Sequence, residues 1–260
     1  MESEDEALRL DLKTDGKVVQ DQALWAGLGP GMRVADLGCG PGKTTYYLNQ
    51  LAQPGGRTTG VDISEQRIEY AKAHYGDNTI EYALGDIRKP LHHLGNFDFI
   101  WVRFVLEYYL ANSIEIVENI TSILKPGGLI CLIDLDCNCL RHFGLPARLE
   151  KAIVSIMGNL STSFNFDPNA GVKLYSFLFD LGYRDIEVQV SGHNLKTGYL
   201  KENEIFNWAK KVEIASRKSG YRFEAYPGGF QEFYEEFRTS FDNPRVFYYT
   251  PLLMCRGRKP

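Results

Sequence analysis

Apolar positions along the chain fall into two alternating rhythms. Short runs at Arg33–Leu37, Arg57–Asp62, Thr79–Leu84, Phe97–Val102 and Leu129–Leu135 are largely apolar on both faces, which predicts buried strands. Between them apolar residues return every three or four positions. Val18, Leu24, Trp25 and Leu28 share one face before the breaker Gly29-Pro30-Gly31, and Thr44–Leu51 opens a second helix. Ile68, Ala71 and Tyr75 follow the capping residue Ser64, and Ile116, Ile120, Ile123 and Leu124 precede Lys125-Pro-Gly-Gly128. Strands alternating with helices predict an α/β fold with a doubly wound, mostly parallel sheet and helices on both faces.

Beyond Cys137 the alternation loosens. Ala147–Met157 and Val172–Leu181 read as helices, Ile186–Val190 as a strand and Val246–Cys255 as a closing β segment. Two helical patches precede that segment, one at Ile205, Trp208, Ala209 and Val212, the other at Phe230, Phe233, Tyr234, Phe237 and Phe241. The aromatic stripe of the second is first the buried face of an amphipathic helix and second a wall for an apolar pocket. The expectation is a single domain over 1–260 whose sheet is interrupted by cap or lid insertions at about 137–170 and 199–242. Both insertions should lie over the carboxyl ends of the central strands.

Composition narrows the class. The chain has 260 residues, 44 % of them hydrophobic and 24 % charged, which excludes collagen, coiled coil and long disorder. Its net charge of −4 is uneven: residues 1–136 carry 12 Lys and Arg against 20 Asp and Glu. That balance argues against nucleic acid or an anionic membrane as partner and suits a cationic ligand. The start Met1–Glu6 is acidic, unlike a leader, and no apolar run is long enough to span a bilayer. Five irregularly spaced cysteines read as reduced thiols, so a cytoplasmic protein is expected, monomeric or homodimeric.

The candidate chemistry begins at Val34-Ala-Asp-Leu-Gly-Cys-Gly-Pro-Gly-Lys-Thr44, a glycine loop between a strand and a helix. A dinucleotide loop needs a third glycine where Lys43 stands. A triphosphate loop, suggested by Gly42-Lys43-Thr44, needs its first glycine where Leu37 stands. The third reading fits. Asp36-Leu-Gly-Cys-Gly-Pro-Gly42 resembles the first motif of class I S-adenosylmethionine-dependent methyltransferases. Further matches follow in order: Gly60-Val-Asp-Ile-Ser64, Gly85-Asp86-Ile87, Phe97–Leu106 and Leu124-Lys-Pro-Gly-Gly-Leu129. The resemblance covers roughly residues 30–136.

The resemblance implies a seven-stranded Rossmann-like sheet of order 3-2-1-4-5-7-6 and S-adenosyl-L-methionine as cofactor. It implies that Asp36 and the backbone at Gly38 and Arg103 hold the cofactor's ammonium end, with Gly40 completing the loop. Asp62 would take both ribose hydroxyls and Asp86 the adenine amine, with the ring between Ile63 and Ile87. The same carboxylates could instead cap neighbouring helices or close ordinary turns. Methyl transfer to a small, partly apolar acceptor is the implied reaction. A base is needed only where the nucleophile is protonated; Glu107, Tyr108, Tyr109 and His142 lie near the strand ends where it would sit. The alternatives are a non-catalytic S-adenosylmethionine-binding regulator and an RNA methyltransferase. The second is disfavoured by the charge and by Arg103-Phe-Val-Leu106 after the fourth strand.

Three features read more simply as structure. Cys137, Cys139 and His142 do not have zinc-finger spacing, so no metal is expected. The basic cluster Lys210, Lys211, Arg217, Lys218 and Arg222 is by default a solvated helix face, and His193 a satisfied histidine.

Overall fold

The computed structural model describes residues 4–260, so the first three residues of the acidic start lie outside it. Five strands build the parallel part of the sheet: β1 (Arg33–Leu37), β2 (Arg57–Asp62), β3 (Ile80–Leu84), β4 (Phe97–Arg103) and β5 (Leu124–Leu135). Strand β6 (His142–Phe143), β7 (Arg184–Lys196) and β8 (Phe247–Arg258) complete it. The order is β3-β2-β1-β4-β5-β8, with β7 and the two-residue β6 both pairing antiparallel with β8. Apart from β6, which no local pattern announces, this is the order the resemblance implied.

Strand alternation sorts the core into two layers. In β4, Ile100 and Val102 face α5 (Ser113–Thr121) and α7 (Ala170–Asp180), packing with Ile116, Ile120, Leu174 and Leu178. Phe99 and Trp101 face the other way, toward Val19 and Ala23 of α2 (Gly16–Trp25) and Leu48 of α3 (Lys43–Ala52). Helix α4 (Glu65–Tyr75) is capped by Ser64, whose hydroxyl accepts from the Arg67 amide.

Two elements depart from the local pattern. Helix α1 (Glu4–Lys13) forms where the sequence read only as acidic; the Asp11 carboxylate takes the Tyr75 hydroxyl, and its carbonyl takes Lys43 Nζ at 2.8 Å. Lys43, which gave the loop its triphosphate look, is thus a strut for α1. Strand β5 begins at Leu124 rather than Leu129, so it contains Lys125-Pro-Gly-Gly128. The chain's last residues knit that breaker into the sheet. Arg258 Nη1 donates to the Gly127 carbonyl, and Lys259 Nζ to those of Thr121 and Leu124.

Helices α6 (Ala147–Phe164), α8 (Glu202–Ser219) and α9 (Gly229–Thr239) pack on one another around a separate apolar cluster. It includes Ile153, Ile156, Trp208, Val212, Phe233 and Phe237. Register places this cluster. Leu135, the last residue of β5, pairs with Leu252, so Phe247–Pro251 of β8 and Gly192–Lys196 of β7 overhang the carboxyl edge of the parallel strands. The insertion carrying α8 and α9 leaves from that overhang. Lys196, fully buried, ties its two ends together by donating to the carbonyls of Gly198, Asn243 and Val246 at 2.8–3.0 Å. Lys196→Met leaves three carbonyls short of a donor, a loss of about 1–3 kcal/mol. The melting temperature is expected to fall by roughly 3–10 °C, readable by calorimetry; an unchanged value would show that the clamp contributes nothing.

Candidate active site

The parallel register aligns the carboxyl ends of β1, β2, β3, β4 and β5, and nearly every candidate residue lies along that one edge. At the end of β1 the glycine loop turns through positive φ at Gly38 (+83°), Gly40 (+56°) and Gly42 (+91°). A Cβ on Gly38 would sit 2.3 Å from Val105 Cγ2, whereas one on Gly40 would meet nothing within 4 Å. The loop is therefore packed on one side and open on the other, as a backbone that receives a ligand must be.

The loop amides decide between ligands. Gly38 and Cys39 N–H both donate to the Val61 carbonyl at 2.7 and 3.0 Å, and Gly42 N–H to the Cys39 carbonyl at 3.2 Å. Gly40 N–H donates to Asp62 Oδ2 at 2.9 Å. A phosphate cradle needs such amides pointing outward; here they are engaged within the protein. An ammonium is a donor and asks the loop only for carbonyls and carboxylates.

Asp36 is buried beneath the loop, its Oδ2 accepting from the Thr45 hydroxyl at 2.7 Å. Burial raises its pKa to about 7, the Thr45 bond opposes the rise, Asp62 adds to it and Arg103 also opposes it. A cation brought beside it would restore its charge. Asp62 is also buried; its oxygens accept from the Gly40 and Ser64 amides, and Arg67 Nη1 stands 3.5 Å away. It thus pins loop to strand, and each oxygen keeps a lone pair for a ribose hydroxyl. Asp86 forms a bidentate pair with Arg88 (both contacts 2.8 Å) and also takes the Arg88 amide, so one lone pair remains for an adenine amine.

The expected ring sandwich needs correction on one side. Ile63 is 51 % exposed at the end of β2, an apolar surface open to a ring, but Ile87 is buried in the core with Leu91 and Ile120. Tyr109, half-buried, lies near enough to Asp86 and Asp62 for both to raise its pKa, although burial is the larger cause and Arg88 opposes it. It flanks the cofactor side of the edge rather than serving as a base.

Arg103, at the end of β4, was expected to act through its backbone. Its side chain is the more telling feature. The guanidinium stacks 4.1 Å from the Phe104 ring centroid, and its Nε is buried with no partner. Burial lowers its pKa to about 10 against the pull of Asp36 and Asp134. Phe104 itself is held at φ 59°, an unfavourable value for a bulky residue.

Next along the edge is Glu107, buried in the turn after β4. Its Oε2 accepts from Asn138 Nδ2 at 2.9 Å. Burial raises its pKa, with Lys211 and Lys13 pulling the other way. Asp134 on β5 accepts from the Glu107 amide at 3.1 Å, and burial followed by Glu107 pushes its pKa well up. Tyr108 stays protonated, since the neighbouring Glu107 charge raises its pKa. His142 is not brought to this group. It sits on β6 in a cavity of about 30 Å³ inside the cap, with Trp208, Val212 and Tyr248, and its ring Nδ1 is 4.0 Å from Glu150. It is therefore removed from the candidate bases.

Three residues were missed or misread. Lys13 of α1 points to the same edge, 5.9 Å from the Phe104 ring, and sequence gave no signal because α1 itself was not read. His193 packs 5.3 Å from the same ring, its Nε2 buried and unpartnered. Burial lowers its pKa to about 3, with Lys13, Arg103 and Lys211 adding to the fall. In the basic cluster, Lys210 and Arg217 pair with Glu213 on the exposed face, while Lys211 turns inward to donate to Asn138 Oδ1 at 2.7 Å. Cys137 and Cys139 bond to Asp136 and Asn138, and among the described residues no three His, Cys, Asp or Glu groups converge as a metal site requires. No helix among the described residues is long and apolar enough to cross a membrane.

Residues 35–132 match the family described as methyltransferase domain. A demethylmenaquinone methyltransferase of Lactococcus lactis subsp. lactis is 30 % identical over 107 residues, 40 % of this chain and 42 % of that protein. The matched stretch spans only about half the length of the curated relatives. Over 94 % of this chain and 52 % of the other, the fold superposes on Haemonchus contortus phosphoethanolamine N-methyltransferase 2 in complex with S-adenosyl-L-methionine. The TM-score is 0.56 and the identity 17 %. The [4+2]-cyclase SpnF superposes equally well, at TM-score 0.56, 15 % identity, and 95 % and 86 % coverage. Residues 35–132 thus match a methyltransferase domain, and the fold as a whole is the one shared by these neighbours. The cyclase shows that the fold alone does not set the reaction.

Proposed function

We propose that the protein is an S-adenosylmethionine-dependent methyltransferase acting on a small-molecule acceptor. The observation that carries this reading is the glycine loop. Its amides are engaged internally, its Gly40 side is open, and Asp36, Asp62 and the unpartnered Arg103 Nε stand around it. That set matches an amino acid at one end, donor and acceptor both, and a ribose at the other. Arg103 is suited to the carboxylate of the aminoacyl group, Asp36 to its ammonium, Asp62 to the ribose hydroxyls and Ile63 to one face of the adenine.

When bound, S-adenosylmethionine supplies a methyl group on a sulfonium, whose departure leaves a neutral thioether. The chain therefore has no leaving-group anion to stabilise at that atom. What it supplies is position, an effect of roughly 7–11 kcal/mol in favourable intramolecular cases. Glu107 is the proposed base. It is a buried carboxylate oriented by Asn138, with a pKa raised by burial above the ordinary carboxylate value. The cap segments meet the site at Lys211 and Asn138, and at Phe166, whose ring centroid lies 5.8 Å from that of Tyr108. Calorimetric titration with S-adenosylhomocysteine is expected to give a micromolar complex, and NAD or ATP none. Tight NAD or ATP binding without S-adenosylhomocysteine binding would overturn the reading.

A further inference from the structure

Resting on that reading, we propose that the acceptor is anionic, with a carboxylate or phosphate held under the cap between Lys13 of α1 and Lys211 of α8. The two ammonium groups come from opposite ends of the chain and converge on the same turn. Lys13 lies over Phe104, next to Glu107 in the chain fold, and Lys211 reaches Glu107 through Asn138. Among the described residues neither lysine makes an ion pair; Lys13 has only the Phe104 ring, and Lys211 the Asn138 carbonyl and the Trp208 ring at 5.6 Å.

Lys13, Lys211 and Arg103 stand about the buried carboxyls Glu107 and Asp134, with Asp36 at the cofactor end and the neutral His193 beside them. Lys13 carries the consequence: burial first, then Lys211 and Arg9, bring its pKa down to about 7, with Glu107 opposing and Arg103 adding. Holding desolvated like charges together costs stability, and such an arrangement is relieved when a ligand brings the missing charge. The cofactor's single carboxylate matches one cation, Arg103. Lys13, Lys211 and the unpartnered His193 Nε2 remain for the acceptor. Glu107 beside them leaves the nucleophile and the anionic handle on neighbouring parts of one molecule. The expectation of a small, partly apolar acceptor is kept: the rings of Phe104 and Tyr108 border Glu107, and the neighbouring polar groups add an oxyanion to it.

The test uses inorganic phosphate and acetate as probes at fixed ionic strength. Each is titrated into free and S-adenosylhomocysteine-loaded protein while the His193 ring resonances are followed by NMR. One or both anions should shift those resonances saturably, phosphate and acetate arms telling which oxyanion is preferred. The apparent affinity should fall at least tenfold in Lys13→Met and in Lys211→Met and be unchanged in Lys210→Met, whose side chain faces solvent. S-adenosylhomocysteine affinity should stay within about threefold throughout. No saturable response to either anion, or equal responses in wild type and both inward-lysine variants, would overturn the proposal. So would a parallel loss of S-adenosylhomocysteine binding, which would assign the lysines to the cofactor. Failure of S-adenosylhomocysteine to bind wild type strikes the cofactor reading alone, because the free-protein arm still reads the anion site.

Discussion

Glu107→Gln is expected to lower kcat by about 10²- to 10⁴-fold, the range over which a positioned general base contributes, while S-adenosylhomocysteine affinity changes little. The amide keeps an oxygen for Asn138 Nδ2, so the turn after β4 retains that hydrogen bond. What it loses is the ability to take a proton. The pH profile separates this from a structural role. Burial raises the Glu107 pKa above the ordinary carboxylate value, so the base is protonated and idle at low pH. Activity in wild type should therefore rise with pH through the raised pKa, and that acid limb should vanish in Glu107→Gln. A variant with wild-type kcat, or one retaining the same limb, would remove Glu107 from the chemistry.

Asp62→Ala is expected to weaken cofactor binding by 100-fold or more. Two hydrogen bonds from ribose hydroxyls to a charged carboxylate contribute about 1.5–3 kcal/mol each. The substitution also frees the Gly40 and Ser64 amides that Asp62 holds at 2.9 and 3.0 Å, so the loop loses its tie to β2. Asp86→Ala should cost less, about 10- to 100-fold, because a single acceptor position is left by the Arg88 pair and one amine bond is at stake. Titration calorimetry of both variants reads the ranking. Equal, near-wild-type affinities would take both residues out of the site.

The glycine-loop side of the strand edge was legible in local sequence and the Glu107 side was not, for a physical reason. β1, β2 and β4 are buried on both faces, and their glycine and aspartate punctuation is dictated by the turn geometry at each strand end, so a short window contains the whole signal. Around Glu107, the residues Lys13, Arg103, Asn138, His193 and Lys211 are brought together only by the sheet order and by the overhang of β7 and β8. No window spans them. Lys211 looked like one member of an exposed basic face, and only the packing of α8 on α6 turns it inward. Ile87 shows the converse error. Its place after Gly85-Asp86 suggested a ring contact, but the core beneath claims its side chain. Strand β5 starts early because Arg258 and Lys259, more than a hundred residues away in sequence, supply the partners its Pro-Gly-Gly segment lacks locally.

The central claim is that the open side of the glycine loop holds S-adenosylmethionine with its methyl group facing Glu107. The most direct measurement is a crystal structure of the protein with S-adenosylhomocysteine. The account predicts the ribose on Asp62, the amino-acid carboxylate on the Arg103 guanidinium and the sulfur directed toward Glu107 beneath Lys211. A ligand bound elsewhere, or one whose sulfur faces away from Glu107 with Arg103 still unpartnered, would contradict it.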